Sequence, residues 1–257
     1  MNLNREKYGL LLIAMLGVVA VLSLFFFNPL PQDVGYHHFS DEHEYFLIPN
    51  ALNVLSNLPF FIVGLAGCVA LIKRQTTALH IVKSNSSAYF ILYAGVALVG
   101  VGSGYYHLSP SNETLVWDRL PMTLAFMALY SIIISEFISE AIGRLLFLPL
   151  LLAGLSSVLY WWFTELNGVG DLRYYILVQF FPVLTIPIIL LSFKSKYGSA
   201  AGYWALLVSY ILAKLFEHYD APIHQYLLYL SGHSIKHVLP AVGLYLLLKY
   251  YKARVCC

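Results

Sequence analysis

Apolar runs of about twenty residues recur along this chain from end to end, and no other feature limits its fold as strongly. A run of that length spans the roughly 30 Å hydrocarbon core of a bilayer as an α-helix. Lipid offers the backbone N–H and C=O groups no water, so each run must satisfy them internally, as a helix does. We read eight spans, at roughly 8–27, 51–72, 87–107, 117–137, 144–163, 174–193, 201–218 and 232–250. The expected fold is all-α, a polytopic membrane helix bundle forming a single domain over residues 1–257. The first run is longer than the apolar part of a signal peptide. No small-x-small cleavage site follows Phe27, so it reads as a retained helix.

Charge then orients the bundle. Only 11% of residues are charged, against about 25% in a soluble domain. An eight-helix alternation places Arg5, Lys7, Lys73, Arg74, Lys83, Arg144, Lys194, Lys196, Lys249, Lys252 and Arg254 on one side. That side is cytoplasmic by the positive-inside rule, with both termini there. Asp33, Asp41, Glu42, Glu44, Glu113, Asp118, Glu165, Asp171 and Asp220 fall on the other side. A net charge of +2 without a basic tract argues against a nucleic-acid partner. Cys68 lies in an apolar run and Cys256-Cys257 end the chain. They make neither a disulfide framework nor a C-x-x-C pair, and the terminal pair reads as a passive tail.

The same alternation brings a set of polar residues to one outer depth. His233 and His237 open the last span four residues apart, so they share one helix face. His107 ends the third span, and Asp118, eleven residues later, opens the fourth. Three neutral imidazoles with a fourth position free form the arrangement of a catalytic zinc. Asp118 is the expected proton acceptor and donor. Ser103, one turn deeper than His107 on the same face, is the expected donor to a developing oxyanion. The inferred reaction is metal-assisted hydrolysis of a carbonyl bond at the membrane surface.

Each of these residues has a simpler role when taken alone. A histidine can bond a neighbouring helix, Asp118 can cap one, and Ser103 between two glycines can permit close packing. Their shared depth favours the chemical reading, because polar groups in a membrane are costly. Other histidines read as solvated: His37, His38 and His43 in the acidic outer segment, His80 on the inner side, and His218 and His224 around the last loop. His218 is near enough in depth to support the site. Lys236 is expected to snorkel to the headgroups. Lys214 and Glu217 fit either an ion pair or a cavity wall.

The segments Asn53-Val54-Leu55-Ser56-Asn57-Leu58-Pro59-Phe60, Gly102-Ser103-Gly104-Tyr105-Tyr106-His107, Asp118-Arg119-Leu120-Pro121-Met122 and Gly232-His233-Ser234-Ile235-Lys236-His237 resemble those of the alkaline ceramidase family. That family belongs to a wider group of seven-helix membrane hydrolases that includes the progestin and adiponectin receptors. The resemblance covers about 45–250 and implies a seven-helix core, about 46–251, with the first helix an addition. It implies a zinc amidase with His107, His233 and His237 as ligands and Ser103 and Asp118 in support. The implied substrate is ceramide, or a related N-acyl lipid taken from the bilayer, cleaved to a sphingoid base and a fatty acid. The family's calcium-type acidic pattern does not carry over. Asp33, Asp41, Glu42 and Glu44 are spaced differently, and Asn50 stands where a family glutamate is expected, which leaves calcium without support. Ile48-Pro49-Asn50 resembles the bacterial branch, so the expected location is a bacterial inner membrane with the site facing outward. The Asn112-Glu113-Thr114 sequon beside the site also favours a host that does not glycosylate.

Two other functions remain open from sequence. One is a lipid-binding receptor that keeps the metal as a staple without turnover. The other is an intramembrane serine protease using Ser103, although Gly100-Val101-Gly102-Ser103-Gly104 lacks the G-x-S-G order. Oligomeric state, acyl length and the exact lipid are not set by these residues.

Overall fold

Turn residues between the apolar runs decide where each helix begins. In the computed structural model, which describes residues 3–73 and 79–254, the helices are α1 (Leu3–Phe26), α2 (Ala51–Leu55), α3 (Leu58–Ile72), α4 (Ser86–Leu108), α5 (Asn112–Phe137), α6 (Glu140–Leu166), α7 (Arg173–Ser192), α8 (Ala201–His218), α9 (Asp220–Leu227) and α10 (Gly232–Ala253). No strand occurs among the described residues, and the architecture is an all-α polytopic membrane bundle. Arg74 and the Cys256-Cys257 pair lie outside the described residues.

Among the described residues, six segments are long and apolar enough to cross a membrane: Asn4–Phe26, Ala51–Ile72, Lys83–Leu108, Asn112–Phe137, Glu140–Leu166 and Arg173–Ser192. Helices α8 and α10, also read as spans from the sequence, do not join that set. α8 is short and carries Lys214 and Glu217, and α10 carries His233, Lys236, His237, Lys249 and Lys252. The two pack on each other, and α10 packs on α3.

Two boundaries differ from the sequence reading in ways that matter for the site. The span at 51–72 is broken into α2 and α3, because Pro59 has no N–H to return to the Leu55 carbonyl. The fourth span starts earlier than 117. Ser111 and Thr114 form a reciprocal cap, with Thr114 N donating to Ser111 Oγ at 3.2 Å and Ser111 N donating to Thr114 Oγ1 at 3.1 Å. Asp118 therefore lies inside α5 and does not open it.

Helix α1 runs along α7 on the outside of the bundle, with most of its surface exposed. Its C-terminal end is tied down by Arg173, whose Nη1 donates to the Leu24 carbonyl at 2.9 Å. The end of the bundle bearing most lysines and arginines is closed by Arg254, which grips Glu136 through two contacts of 2.8 and 2.5 Å. Within the ring of helices, α4 and α5 meet at Gly102, where a Cβ would lie 2.0 Å from the Trp117 carbonyl oxygen. Only glycine permits that approach, which sets the α4 face carrying Ser103 beside Asp118. Helices α7 and α8 touch little among the described residues, and a cavity fills their seam.

Candidate metal centre and its cavity

Helix α10 begins where Ser231 Oγ accepts the Ser234 N–H at 3.1 Å, leaving Gly232 as the first helical residue. A Cβ on Gly232 would sit 2.1 Å from the Phe216 carbonyl oxygen, so glycine lets this end press against α8. One turn separates His233 from His237, and both rings point inward. His107 meets them from the last turn of α4, its carbonyl held by Asn50 Nδ2 at 2.9 Å. All three histidines are buried, and one ligand nitrogen from each lies within 4.8 Å of the others.

The donor set fits a divalent ion. His107 Nε2 and His233 Nε2 lie 3.4 Å apart. That is long for an N–H···N bond and close to the ~3.3 Å between neighbouring ligands of a tetrahedral zinc with Zn–N bonds of about 2.05 Å. The tautomer of His237 follows from its neighbour. Ser56 Oγ has one proton and donates it to the Asn53 carbonyl at 3.0 Å. Toward His237 Nδ1, at 2.8 Å, that oxygen must accept, so Nδ1 carries the hydrogen and Nε2 keeps its lone pair. Asn57 Nδ2 donates to the Asn53 carbonyl at 2.8 Å, and Ser234 Oγ donates to Asn53 Oδ1 at 2.8 Å, completing a polar collar around α2. Sequence reasoning quoted this Asn-x-x-Ser-Asn segment without a role for it. The available signal was three polar side chains at a helix break in an apolar span.

Ser103, Asp118 and His237 line one cavity of about 240 Å³. Asp118 Oδ1 is shut off from solvent and has no hydrogen-bond partner among the described residues. Lys236 does not snorkel. Its Nζ pairs with Glu217 Oε1 at 2.7 Å, and Lys214 Nζ takes Glu217 Oε2 at 2.6 Å. All three line the cavity, which answers the question left open for Lys214 and Glu217. Arg119, next to Asp118, is buried over the Trp161 and Tyr175 rings and donates through Nη2 to Gln32 Oε1 at 2.5 Å. Phe60, Val99, Met122, Tyr210 and Pro240 also bound a second, wholly apolar cavity of about 150 Å³, deeper in the bundle.

The remaining histidines are not uniformly solvated. His37 bonds the Tyr106 hydroxyl and Asn112 Oδ1, both at 2.9 Å, because the segment after α1 folds back over the end of the bundle that carries His107. That segment also seats Phe39, whose ring centroid lies 4.7 Å from that of His107 and 4.5 Å from that of His233. His218 is exposed and edges against Tyr219, without a contact to the site. The acidic residues of this segment have separate partners. Asp33 caps a turn by accepting from Gly35 N, Glu42 accepts from Phe39 N, and Asn50 uses its amide on His107. Asp41 instead lies with His43 and His224.

A comparison with curated proteins finds no match. A family model described as Ceramidase matches residues 42–257, which takes in every helix from α2 onward and leaves α1 outside. With most of its length matched, the chain belongs to the ceramidase family.

Proposed function

We propose that this ceramide-type amide hydrolase is a zinc enzyme that cleaves ceramide, or a closely related N-acyl lipid, to a long-chain base and a fatty acid. The observation that carries the reading is the buried trio His107, His233 and His237 beside a cavity walled by Ser103 and Asp118 and adjoining an apolar void. A family match alone does not specify the metal; three converging imidazoles suit zinc. When bound there, Zn²⁺ lowers the pKa of water to about 7 and polarises the scissile carbonyl.

The chain's own residues do the rest. Asp118 takes the proton of the attacking water as its oxygen bonds to the carbonyl carbon. It then returns that proton to the amide nitrogen as the C–N bond breaks, leaving an amine and a carboxylic acid. Ser103 shares the cavity wall with Asp118 and donates its hydroxyl to the oxyanion once substrate enters. Ser56 orients His237. Glu217 pairs with both Lys236 and Lys214 at the cavity wall, so the polar end of a lipid meets one net positive charge there. Apolar chains fit the deeper void, lined by residues such as Leu92, Ile133 and Leu244.

The cationic end of the bundle is assigned to the cytoplasm, with the metal centre at the outer face of a bacterial inner membrane. Purified wild-type chain should release free fatty acid from an N-acyl lipid, and lipid mass spectrometry should identify the pair of products. His237→Ala should lose both metal and hydrolysis, and Asp118→Ala should keep metal while losing rate. Stoichiometric zinc without turnover on any amide lipid would support the receptor reading. Activity that survives chelation but not Ser103→Ala would support a serine hydrolase.

A further inference from the structure

A second group of metal-ligating side chains lies outside this mechanism. Asp41, His43 and His224 each offer one ligand atom, and these atoms all lie within 4.8 Å of one another. Asp41 is 3% exposed, a position in which a carboxylate needs a partner. Its Oδ1 accepts from His43 Nδ1 at 2.8 Å and from His43 N at 3.1 Å, and Asn53 Nδ2 fixes its carbonyl at 2.9 Å. His224 comes from α9, 184 positions away from Ser40, to whose carbonyl its Nδ1 donates at 2.7 Å. That bond places the lone pair on Nε2, the tautomer a ligand needs. The His43 and His224 rings stand edge to face, with centroids 6.2 Å apart.

We propose that Asp41, His43 and His224 form a second site, for a zinc-class divalent ion, which fastens the Phe39–His43 strap over the buried histidines. Two imidazoles and one carboxylate suit a borderline transition ion, whereas calcium asks for six to eight oxygens. The 2.8 Å between Asp41 Oδ1 and His43 Nδ1 is spanned by the proton of one hydrogen bond. An ion displaces that proton and needs only a small widening, to the ~3.3 Å between tetrahedral ligands. The strap is also held by Ala51 N, which donates to the His43 carbonyl at 3.1 Å, and by the buried Phe39 ring. Ser40 N donates to Asp220 Oδ2 at 3.1 Å, while Asp220 Oδ1 accepts from His233 N at 2.7 Å. One carboxylate thus links strap and metal centre. Phe39, two residues before Asp41, covers His107 and His233. Tying His224 to Asp41 closes a loop from α9 across the strap to α2. The His43 side chain is 64% exposed, so this ion exchanges from outside while the buried one stays.

The test uses full-length protein in detergent, stripped with a chelator and titrated with Zn²⁺ or Co²⁺, with bound metal counted by mass spectrometry. The wild type should take one equivalent more than His43→Ala or His224→Ala, and the chain carrying His107→Ala and His237→Ala should still take one. Equal metal in wild type, His43→Ala and His224→Ala overturns the site, whatever the buried histidines bind. Because His43 is exposed, its alanine variant should fold. Hydrogen exchange over residues 36–46 should slow at least severalfold on filling the site in wild type and in the His107/His237 double variant, but not in His43→Ala. Metal bound with no change in that exchange overturns the clamp.

Discussion

Ser56→Ala is the sharpest probe of the metal-centre argument, because it removes one atom that touches neither substrate nor metal. In the wild type the Ser56 hydroxyl spends its proton on the Asn53 carbonyl, so its oxygen can only accept from His237 Nδ1, at 2.8 Å. Without that acceptor, the buried Nδ1–H is left to Asn57 Nδ2, 3.5 Å away and itself a donor. The neutral ring then gains nothing from keeping its hydrogen on Nδ1, and the tautomer with the hydrogen on Nε2 competes with metal. A hydrogen bond to a group that becomes positively polarised on metal binding contributes about 1.5–3 kcal/mol. At about 1.4 kcal/mol per tenfold, the expected loss is about 10- to 100-fold in zinc affinity, matching the usual cost of removing such an outer partner. The assay is competition for Zn²⁺ against a chelator of known affinity, on detergent-purified protein, with Ser56→Thr restoring most of the loss. Affinity within twofold of wild type in Ser56→Ala would refute the tautomer argument.

Other outcomes test the scaffold. Arg254→Ala should strip a partner from Glu136, in a pair whose side chains are 2% and 0% exposed, and lower stability by about 3–5 kcal/mol; thermal unfolding in detergent reads it, and metal content of the folded fraction should not change. Gly102→Ala would drive a methyl into the Trp117 carbonyl, at an expected cost of about 1–3 kcal/mol, with loss of rate exceeding loss of zinc because Ser103 and Asp118 are pushed apart. Two hydrogen bonds from the Arg173 guanidinium hold the Asp171 carboxyl below the usual carboxylate range. Its contribution is therefore complete above the ordinary pKa of about 3.9 and is lost as pH falls through the lower folded value. Arg173→Ala should move the acid-unfolding limb to higher pH, and tryptophan fluorescence during acid titration would show no difference if the ion pair is idle.

Much of this protein was legible in its residues. Apolar runs of about twenty residues are long enough to cross lipid as helices, which satisfy their own backbone groups, and this set the all-α class. Among the described residues, six and not eight of the runs qualify as spans. The i, i+4 pairing of His233 with His237 follows from helix geometry alone, and depth along alternating spans placed His107 and Asp118 near them. What one-dimensional reasoning lacked was rotation about each helix axis and the path of the connecting segments. Lys236 illustrates the first: its neighbours suggested an outward side chain, but the packing of α10 on α8 turns it toward Glu217. Asp118 illustrates boundary drift, since a cap at Ser111 lengthened α5 past the point where hydropathy began.

Depth and chemical type could be read from order along the chain, because a membrane forces apolar runs into helices of known rise. Three facts came only from tertiary structure: the return of Phe39 over the histidines, the acceptor role of Ser56, and the meeting of Asp41 with His224. Each depends on contacts between segments distant in sequence. Such contacts are selected by shape and by the need to pair buried polar atoms, neither of which leaves a periodic mark in the chain.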